Sequence, residues 1–411
     1  MVLNYVWIGF FLLGTLAALL RWIVLGDPSA FPAMMEGTFK MAKLGFEIAL
    51  GLTGLMTLWL GLMKVGEAAG VVRALAWLVR PLFRRIFPEI PPDHPAMGAM
   101  LMNISANMLG LDNAATPLGI KAMKEMQRLN PTPDRATNAQ IMFLVLNTSG
   151  LTLIPITIIL YRQVREAEQP TDVFIPILLA TFVATLGGIL ITAIFQRIRL
   201  WDSVVMAYLG GLTALIGGVI YLFLELPPET TEQISKTVSG VLIVGLMTGF
   251  VAAAAYKRVP VYETFVEGAK EGFAVSIQII PFLVAILVGV GVFRESGALG
   301  ILIEGIRWVV EQMGGNADFV PALPTAFMRP FSGGGARALM FEAMNTYGVD
   351  SFVGRLVSIM QGSTDTTFYV LAVYFGAVKV RQTRHAVVCG LFGDLCGLVA
   401  AIAIAYVFFG G

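Results

Sequence analysis

Hydrophobic residues run along the chain in long stretches that short polar segments separate. Nine of these stretches are long enough for membrane-spanning helices, near residues 3–24, 46–63, 139–160, 173–195, 203–224, 238–256, 273–293, 352–378 and 384–409. Apolar runs of this length need a lipid environment or complete burial. The pattern therefore predicts an all-α polytopic membrane protein with about nine membrane crossings.

Two further stretches, 66–90 and 295–313, place arginine and glutamate among apolar residues at helical spacing. This pattern is typical of an amphipathic helix that lies along the membrane interface. Each stretch is followed by a polar segment inside hydrophobic sequence, NISANMLGLDNAATPLG at 103–119 and RPFSGGGARALMFEAM at 329–344. Backbone can leave the helix at membrane depth only where protein or a water-filled cavity satisfies it, so we predict two broken or re-entrant segments.

Composition excludes several classes of protein. With 57% hydrophobic and 13% charged residues and a mean hydropathy of +0.78, the chain cannot fold as a soluble globule without exposing large apolar patches. The 28 basic residues are balanced by 27 acidic ones and form no basic face, which excludes nucleic acid as a partner. No disulfide is predicted, because a helix would hold Cys389 and Cys396 roughly 10 Å apart.

The chain contains an internal repeat. Lys43, Gly45 and Phe46 recur 227 positions later as Lys270, Gly272 and Phe273, and LNTSGLTLIPITIILY at 146–161 aligns with MQGSTDTTFYVLAVYF at 360–375. We predict one repeat at 1–200, a connecting transmembrane helix at 201–227 and a second repeat at 228–411. A single connecting crossing inverts the second repeat. The excess of Lys and Arg on one side predicts a cytoplasmic N-terminus and a C-terminus on the opposite side of the inner membrane.

Several motifs resemble a known family. The segment NISANMLGLDNAATPLG resembles the signature of spore maturation protein A, whereas PFLVAILVGVGVFRESGAL at 281–299, RPFSGGGAR and QGSTDTTFYVLAVYFGAV resemble spore maturation protein B. The chain thus resembles a fusion of the two, which are classed with the nucleoside-recognition or gate-domain proteins. The resemblance implies a transport-type fold of two inverted gate-like repeats, but a fold alone does not identify the cargo.

Clustered polar residues inside apolar sequence predict the site, because they are costly in lipid unless they line a cavity. The glycines can bring backbone N–H groups to a ligand, and an arginine beside them favours an anion. The predicted substrate-binding residues are Asn103, Asn107, Asn113, Asn147, Ser149, Ser332, Gly333, Gly334, Arg337, Gln361, Ser363 and Thr364. Asp112 and Asp365 are predicted to bind a coupling sodium ion or proton; no metal site and no other cofactor is predicted.

Each of these residues also has a structural interpretation. Asn, Ser and Thr within helices can simply hydrogen-bond to neighbouring helices. Arg329 and Arg337 could form ion pairs with Glu342 or Asp365, and Asp112 could cap the helix that follows it. These alternatives stay open at the level of sequence.

The residues predict a secondary transporter or permease that moves a small polar, anionic solute across the inner membrane through a midplane site between the repeats. Two alternatives remain: a non-transporting scaffold or regulator of envelope or spore maturation, and a nucleoside transporter. Enzymatic activity is not predicted, because no HExxH, CxxC or Walker-type sequence occurs. The predicted partners are the small-molecule solute and the lipid bilayer, and association into a homo-oligomer is left open.

Overall fold

A computed structural model describes the backbone of residues 2–110, 112–198, 200–225 and 228–410. This part of the chain contains seventeen α-helices, one 3-10 turn at Val320–Ala322 and no β-strand. The prediction of an all-α fold is confirmed. The helices before the connector are α1 (Val2–Leu25), α2 (Ala30–Ala68), α3 (Val71–Ile86), α4 (Pro95–Met108), α5 (Asp112–Arg128), α6 (Asn138–Thr148), α7 (Ile156–Val164) and α8 (Phe174–Gln196).

The remaining helices comprise the connector α9 and the second half. They are α9 (Ser203–Glu225), α10 (Pro228–Tyr256), α11 (Val261–Glu295), α12 (Ala298–Gln312), α13 (Leu323–Met328), α14 (Gly333–Tyr347), α15 (Phe352–Ser363), α16 (Thr367–Ala377) and α17 (Ala386–Phe409). Among the described residues, α1, α2, α8 and α17 are each long and apolar enough to cross a membrane, and α11 with α12 would make a fifth span. The protein is a polytopic helical membrane protein.

Each half contains one very long helix that ends at a glycine and is followed by an amphipathic helix. Gly70, with φ of 80°, separates α2 from α3, and Gly297, with φ of 89°, separates α11 from α12. Glycine adopts this left-handed conformation without steric cost, so both helix breaks have a local cause. Residues 283–295 of α11 make an angle of 70° with α12. The exposed Trp77 and Trp308 are placed as aromatic anchors of interfacial helices would be.

The long helices α2 and α11 pack against each other through glycines. A Cβ atom at Gly272 would lie 2.5 Å from the carbonyl oxygen of Met56, and one at Gly45 would lie 3.1 Å from the amide nitrogen of Val284. The two backbones therefore approach at distances that only glycine permits. Since residues early in α2 contact residues late in α11, the helices are antiparallel.

The contacts in this seam repeat with the sequence offset of 227. The contact of Gly45 with Val284 corresponds to that of Gly272 with Thr57, and the contact of Gly291 with Met41 corresponds to that of Lys64 with Gly268. Equivalent contacts between antiparallel helices define a pseudo-two-fold axis perpendicular to both. If both helices cross the membrane, that axis lies in the membrane plane, as inverted repeats require. The boundaries at residues 200 and 228 stay predictions.

Two of the predicted spans each consist of two helices. The stretch 139–160 is divided between α6 and α7, and the stretch 352–378 between α15 and α16. Gly150 and Pro155 lie in the first gap, and the polar turn 364–366 forms the second. Conversely, most of the polar segments 103–119 and 329–344 is helical. Among the described residues of these segments, the non-helical backbone lies in short stretches next to Met108, where Gly110 has φ of 71°, and between Met328 and Gly333.

Substitution of Gly272 tests the seam. We expect Gly272→Ala to destabilise the protein by about 1–3 kcal/mol, because its Cβ would overlap the backbone of α2. Gly300→Ala in α12 is the matched control, since nothing lies within 4 Å of a Cβ there. Thermal unfolding of the purified variants in detergent measures the effect. Equal melting temperatures for the two variants would show that α2 and α11 do not pack as described.

Candidate functional site

A cavity of about 820 Å³ lies between the two halves of the protein. Residues of α4, α6 and α7 and the adjoining loops line one side, and residues of α14, α15 and α16 line the other. Nine of the predicted site residues line it: Asn107, Asn147, Ser332, Gly333, Gly334, Arg337, Gln361, Thr364 and Asp365. The cavity thus brings together residues that are more than two hundred positions apart in sequence.

Helix breaks form the wall of the cavity and hydrogen-bond to one another. In the first half, the N–H of Leu153 donates to the carbonyl of Met108 at 2.8 Å; in the second half, the N–H of Phe368 donates to the carbonyl of Pro330 at 3.0 Å. The second bond lies one residue beyond the position that the alignment of 146–161 with 360–375 gives for the first. The N–H of Asp365 donates to the carbonyl of Thr148 at 2.7 Å and joins the halves. These bonds provide partners within the protein for backbone that leaves the helix, as an apolar environment demands.

The first turn of α14 borders the cavity. Ser332 is its N-cap, and the Ser332 hydroxyl accepts a hydrogen bond from the N–H of Gly335 at 2.9 Å. The other N–H groups of a first helical turn have no acceptor within the helix. Gly333 is tightly surrounded, since a Cβ there would lie 2.8 Å from Oγ1 of Thr366, whereas a Cβ at Gly334 would meet nothing within 4 Å. This turn can present amide donors and the positive end of the helix to an anion.

The Arg337 guanidinium is held by an aromatic ring from the opposite half. Its Cζ lies 5.0 Å from the centroid of the Tyr161 ring, a cation–π contact. Tyr161 is itself buried and packs edge-to-face against Phe341. The Nε atom of Arg337 is buried and has no hydrogen-bond partner. The ring orients the guanidinium at the cavity and leaves N–H groups to receive a ligand.

Arg329 has a different environment from Arg337. Its guanidinium donates to the carbonyl of Thr364 and lies 3.9 Å from Asp365, whose side chain is 57% exposed. The sequence alternative in which Arg329 pairs with Asp365 is therefore observed. Glu342 pairs instead with Arg294, at 2.6 Å. The cavity consequently has one arginine beside a carboxylate and a second arginine held against a neutral ring.

Asn147 is the centre of a buried polar network that connects the halves. Its Oδ1 accepts hydrogen bonds from Nδ2 of Asn107 at 2.7 Å and from the Tyr374 hydroxyl at 3.1 Å. Nδ2 of Asn103 donates to the Tyr374 hydroxyl at 3.3 Å and to the carbonyl of Ala115 at 2.8 Å. Asn107 and Asn147 reach the cavity, and the network behind them fixes their orientation.

Three predicted site residues do not line the cavity. Asn103 lies behind it in the network around Tyr374, and the hydroxyls of Ser149 and Ser363 donate to carbonyls one turn earlier in their own helices, at 2.8 Å and 2.9 Å. All three are fully buried. They correspond to the structural interpretation of such residues. The side chains of Asp112 and Asn113 lie outside the described residues, so their roles stay predictions.

Aromatic residues of the cavity were missed by the sequence analysis. Phe331 and Phe368 stack with ring centroids 5.1 Å apart and an interplanar angle of 10°, and both line the cavity together with Tyr161. Within apolar sequence these residues look like ordinary core. For Tyr161, the only signal in the sequence was its alignment with Phe375 in the repeat.

Comparison with known proteins assigns both halves of the chain to one family. The sequence pattern of the family described as "Nucleoside recognition" matches residues 49–163 and 276–381. Spore maturation protein A of Bacillus subtilis (strain 168) is 40% identical over 198 residues, which are 48% of this chain and 97% of that protein. Spore maturation protein B of the same strain is 44% identical over 178 residues, or 43% of this chain and 98% of that protein. No solved structure matches the chain.

Removal of one hydroxyl tests the buried network. We expect Tyr374→Phe to lower the free energy of unfolding by about 1 kcal/mol, because Asn147 and Asn103 each lose a buried partner. Tyr369→Phe makes the same chemical change on the same helix at an exposed position, and should have little effect. Thermal unfolding in detergent compares the two. If Tyr369→Phe costs as much as Tyr374→Phe, the network does not connect the halves as described.

Proposed function

Because the chain belongs to the nucleoside-recognition gate family, we propose that it is a membrane permease for a small polar, anionic solute. The observation that carries this proposal is the Arg337 guanidinium, which Tyr161 holds at the cavity beside the first turn of α14. A guanidinium and helix N-terminal amides together favour a carboxylate or phosphate. The cavity lies between the halves, where inverted-repeat transporters bind their solutes.

The charges around the cavity leave a net attraction for an anion. Arg329 is partly neutralised by Asp365, whereas Arg337 faces an uncharged ring. Thr364 and Gln361 also line the cavity and add uncharged polar side chains to its wall. The arginines would thus bind the negative group, and the uncharged polar side chains would bind the rest of the solute.

Asp365 is suited to couple the solute to an ion gradient. Its side chain is exposed at the cavity and lies 3.9 Å from Arg329. An anion that recruited Arg329 would weaken this pair and leave the carboxylate to take up a proton or a sodium ion. Solute and ion binding would then be coupled, because the anion and Asp365 compete for Arg329.

The proposed location is the inner membrane, with the N-terminus in the cytoplasm. It rests on the excess of Lys and Arg that membrane proteins carry on the cytoplasmic side.

Two other functions have some support. The stacked Phe331 and Phe368 rings offer a flat aromatic surface that a nucleobase could extend, in keeping with the description of the family. The relatives are named for spore maturation rather than for transport, which favours a membrane scaffold. Binding of neutral nucleosides would favour the first, and a protein that binds no solute would favour the second.

Neutralising Arg337 tests the proposal. We expect Arg337→Gln to weaken binding of the anion by about 2–5 kcal/mol, or at least roughly thirtyfold, because a charge-assisted contact in a dry site is lost. Arg128→Gln removes the same charge from an exposed position and should leave affinity unchanged. Ligand-induced shifts in melting temperature, measured with a panel of carboxylates, organic phosphates and uncharged nucleosides, identify the class bound and compare the variants.

The same panel separates the alternatives. Stabilisation of the wild type by uncharged nucleosides but by no anion, with the response retained in Arg337→Gln, would replace the anionic solute by a nucleoside. Absence of any response across the panel and in uptake assays with proteoliposomes would favour the scaffold.

A further inference from the structure

A buried carboxyl group lies directly behind the wall of the cavity. Asp394, in the middle of α17, is 2% exposed. Its Oδ2 lies 2.7 Å from Oγ1 of Thr367, at hydrogen-bond distance, and its Oδ1 is buried without a partner. In the part of the chain that the structure describes, no lysine, arginine or histidine forms an ion pair with it. The group is absent from the predicted site residues because it stands alone in an apolar helix.

Glycines on α17 bring Asp394 close to the helix breaks. A Cβ at Gly390 would lie 2.9 Å from Cγ2 of Thr367, and one at Gly397 would lie 2.7 Å from Cγ2 of Thr364. The Oγ1 atom of Thr364 is also buried without a partner. Residues 364–366 line the cavity, and Thr367 follows them directly. One turn of polypeptide therefore separates the Asp394 carboxyl from the cavity.

The surroundings of Asp394 suit a neutral acid. A carboxylate buried with a single hydrogen bond and no ion-pair partner pays a desolvation cost that its surroundings offset only in part. A carboxylic acid can donate its proton to Thr367 and leave only a weak carbonyl acceptor unsatisfied. We propose that Asp394 is a proton-binding site, which holds a proton in this conformation and exchanges it with the cavity through the turn 364–367.

Two charged groups act on Asp394, Arg329 and Asp365, and both belong to the cavity wall. Helices α6 and α8, which pack on the same face of α17, contain no ionisable side chain. The other ionisable side chains of the elements packed there are Arg355 in α15, Tyr369 and Tyr374 in α16, and Cys389, Cys396 and Tyr406 in α17 itself.

Loss of the proton would create a carboxylate that attracts Arg329. That attraction would compete with the contacts of Arg329 to Asp365 and to the carbonyl of Thr364. Protonation of Asp394 would thus alter the charge that the cavity presents to a solute. This consequence rests on the proposed permease function, whereas the proton site itself does not.

Infrared difference spectroscopy of the full chain in lipid tests the site without any solute. A buried protonated carboxyl gives a C=O stretching band that shifts in heavy water. We expect this band in the wild type at neutral pH, its loss in Asp394→Asn and its retention in Asp365→Asn, whose carboxyl is exposed at the cavity. Thr367→Val keeps the acid but removes its hydrogen-bond partner, so it should shift the band without abolishing it.

The outcomes are distinct. Absence of the band from the wild type at neutral pH, or its persistence in a folded Asp394→Asn protein, would overturn the proposal. If Asp394→Asn does not fold, a band that Thr367→Val leaves unshifted would overturn it equally. If the protein shows the band but binds no anion, the proton site stands and the anionic solute is ruled out. Failure of one proposal can therefore be told apart from failure of the other.

Discussion

Backbone that leaves the helix inside a membrane must find hydrogen-bond partners within the protein, and the architecture of this chain follows from that constraint. The helix breaks next to Met108 and Leu153 bond to each other, as do those next to Pro330 and Phe368. Paired in this way, the breaks of each half meet at one place. A polar cavity forms there because polar backbone and polar side chains are concentrated around it.

The two halves share a framework but differ in chemistry. The glycine seam between α2 and α11 repeats with the 227-residue offset, and so do the left-handed glycines at positions 70 and 297. At the cavity, by contrast, one half supplies Tyr161 and Asn147 and the other supplies Arg329, Arg337 and Asp365. In the proposed permease, the symmetric framework would allow equivalent movements towards either side of the membrane, and the asymmetric lining would recognise the solute.

The features that depend on short stretches of sequence could be predicted from the sequence. The all-α class, the repeat, the amphipathic helices α3 and α12 and the polar segments around the cavity all followed from periodicity and composition. The direction in which each side chain points could not be predicted in this way. Ser149 and Ser363 have the same polarity as Asn147 and Gln361 nearby, yet only the latter two face the cavity, because helix rotation against neighbouring helices decides which side points inward. Tyr161 and Asp394 were missed because their importance comes from partners distant in sequence.

If the protein is the proposed permease, the cavity must open in turn to each side of the membrane. Gly334→Cys, in a background with Cys389 and Cys396 replaced by alanine, places a thiol where nothing lies within 4 Å of its Cβ at the cavity wall. The decisive measurement is its labelling by a membrane-impermeant maleimide added to one side or the other of sealed vesicles. A permease predicts labelling from both sides, with a ratio that a bound solute changes. Labelling from one side only, unaffected by any solute of the panel, would contradict transport and leave a static membrane scaffold.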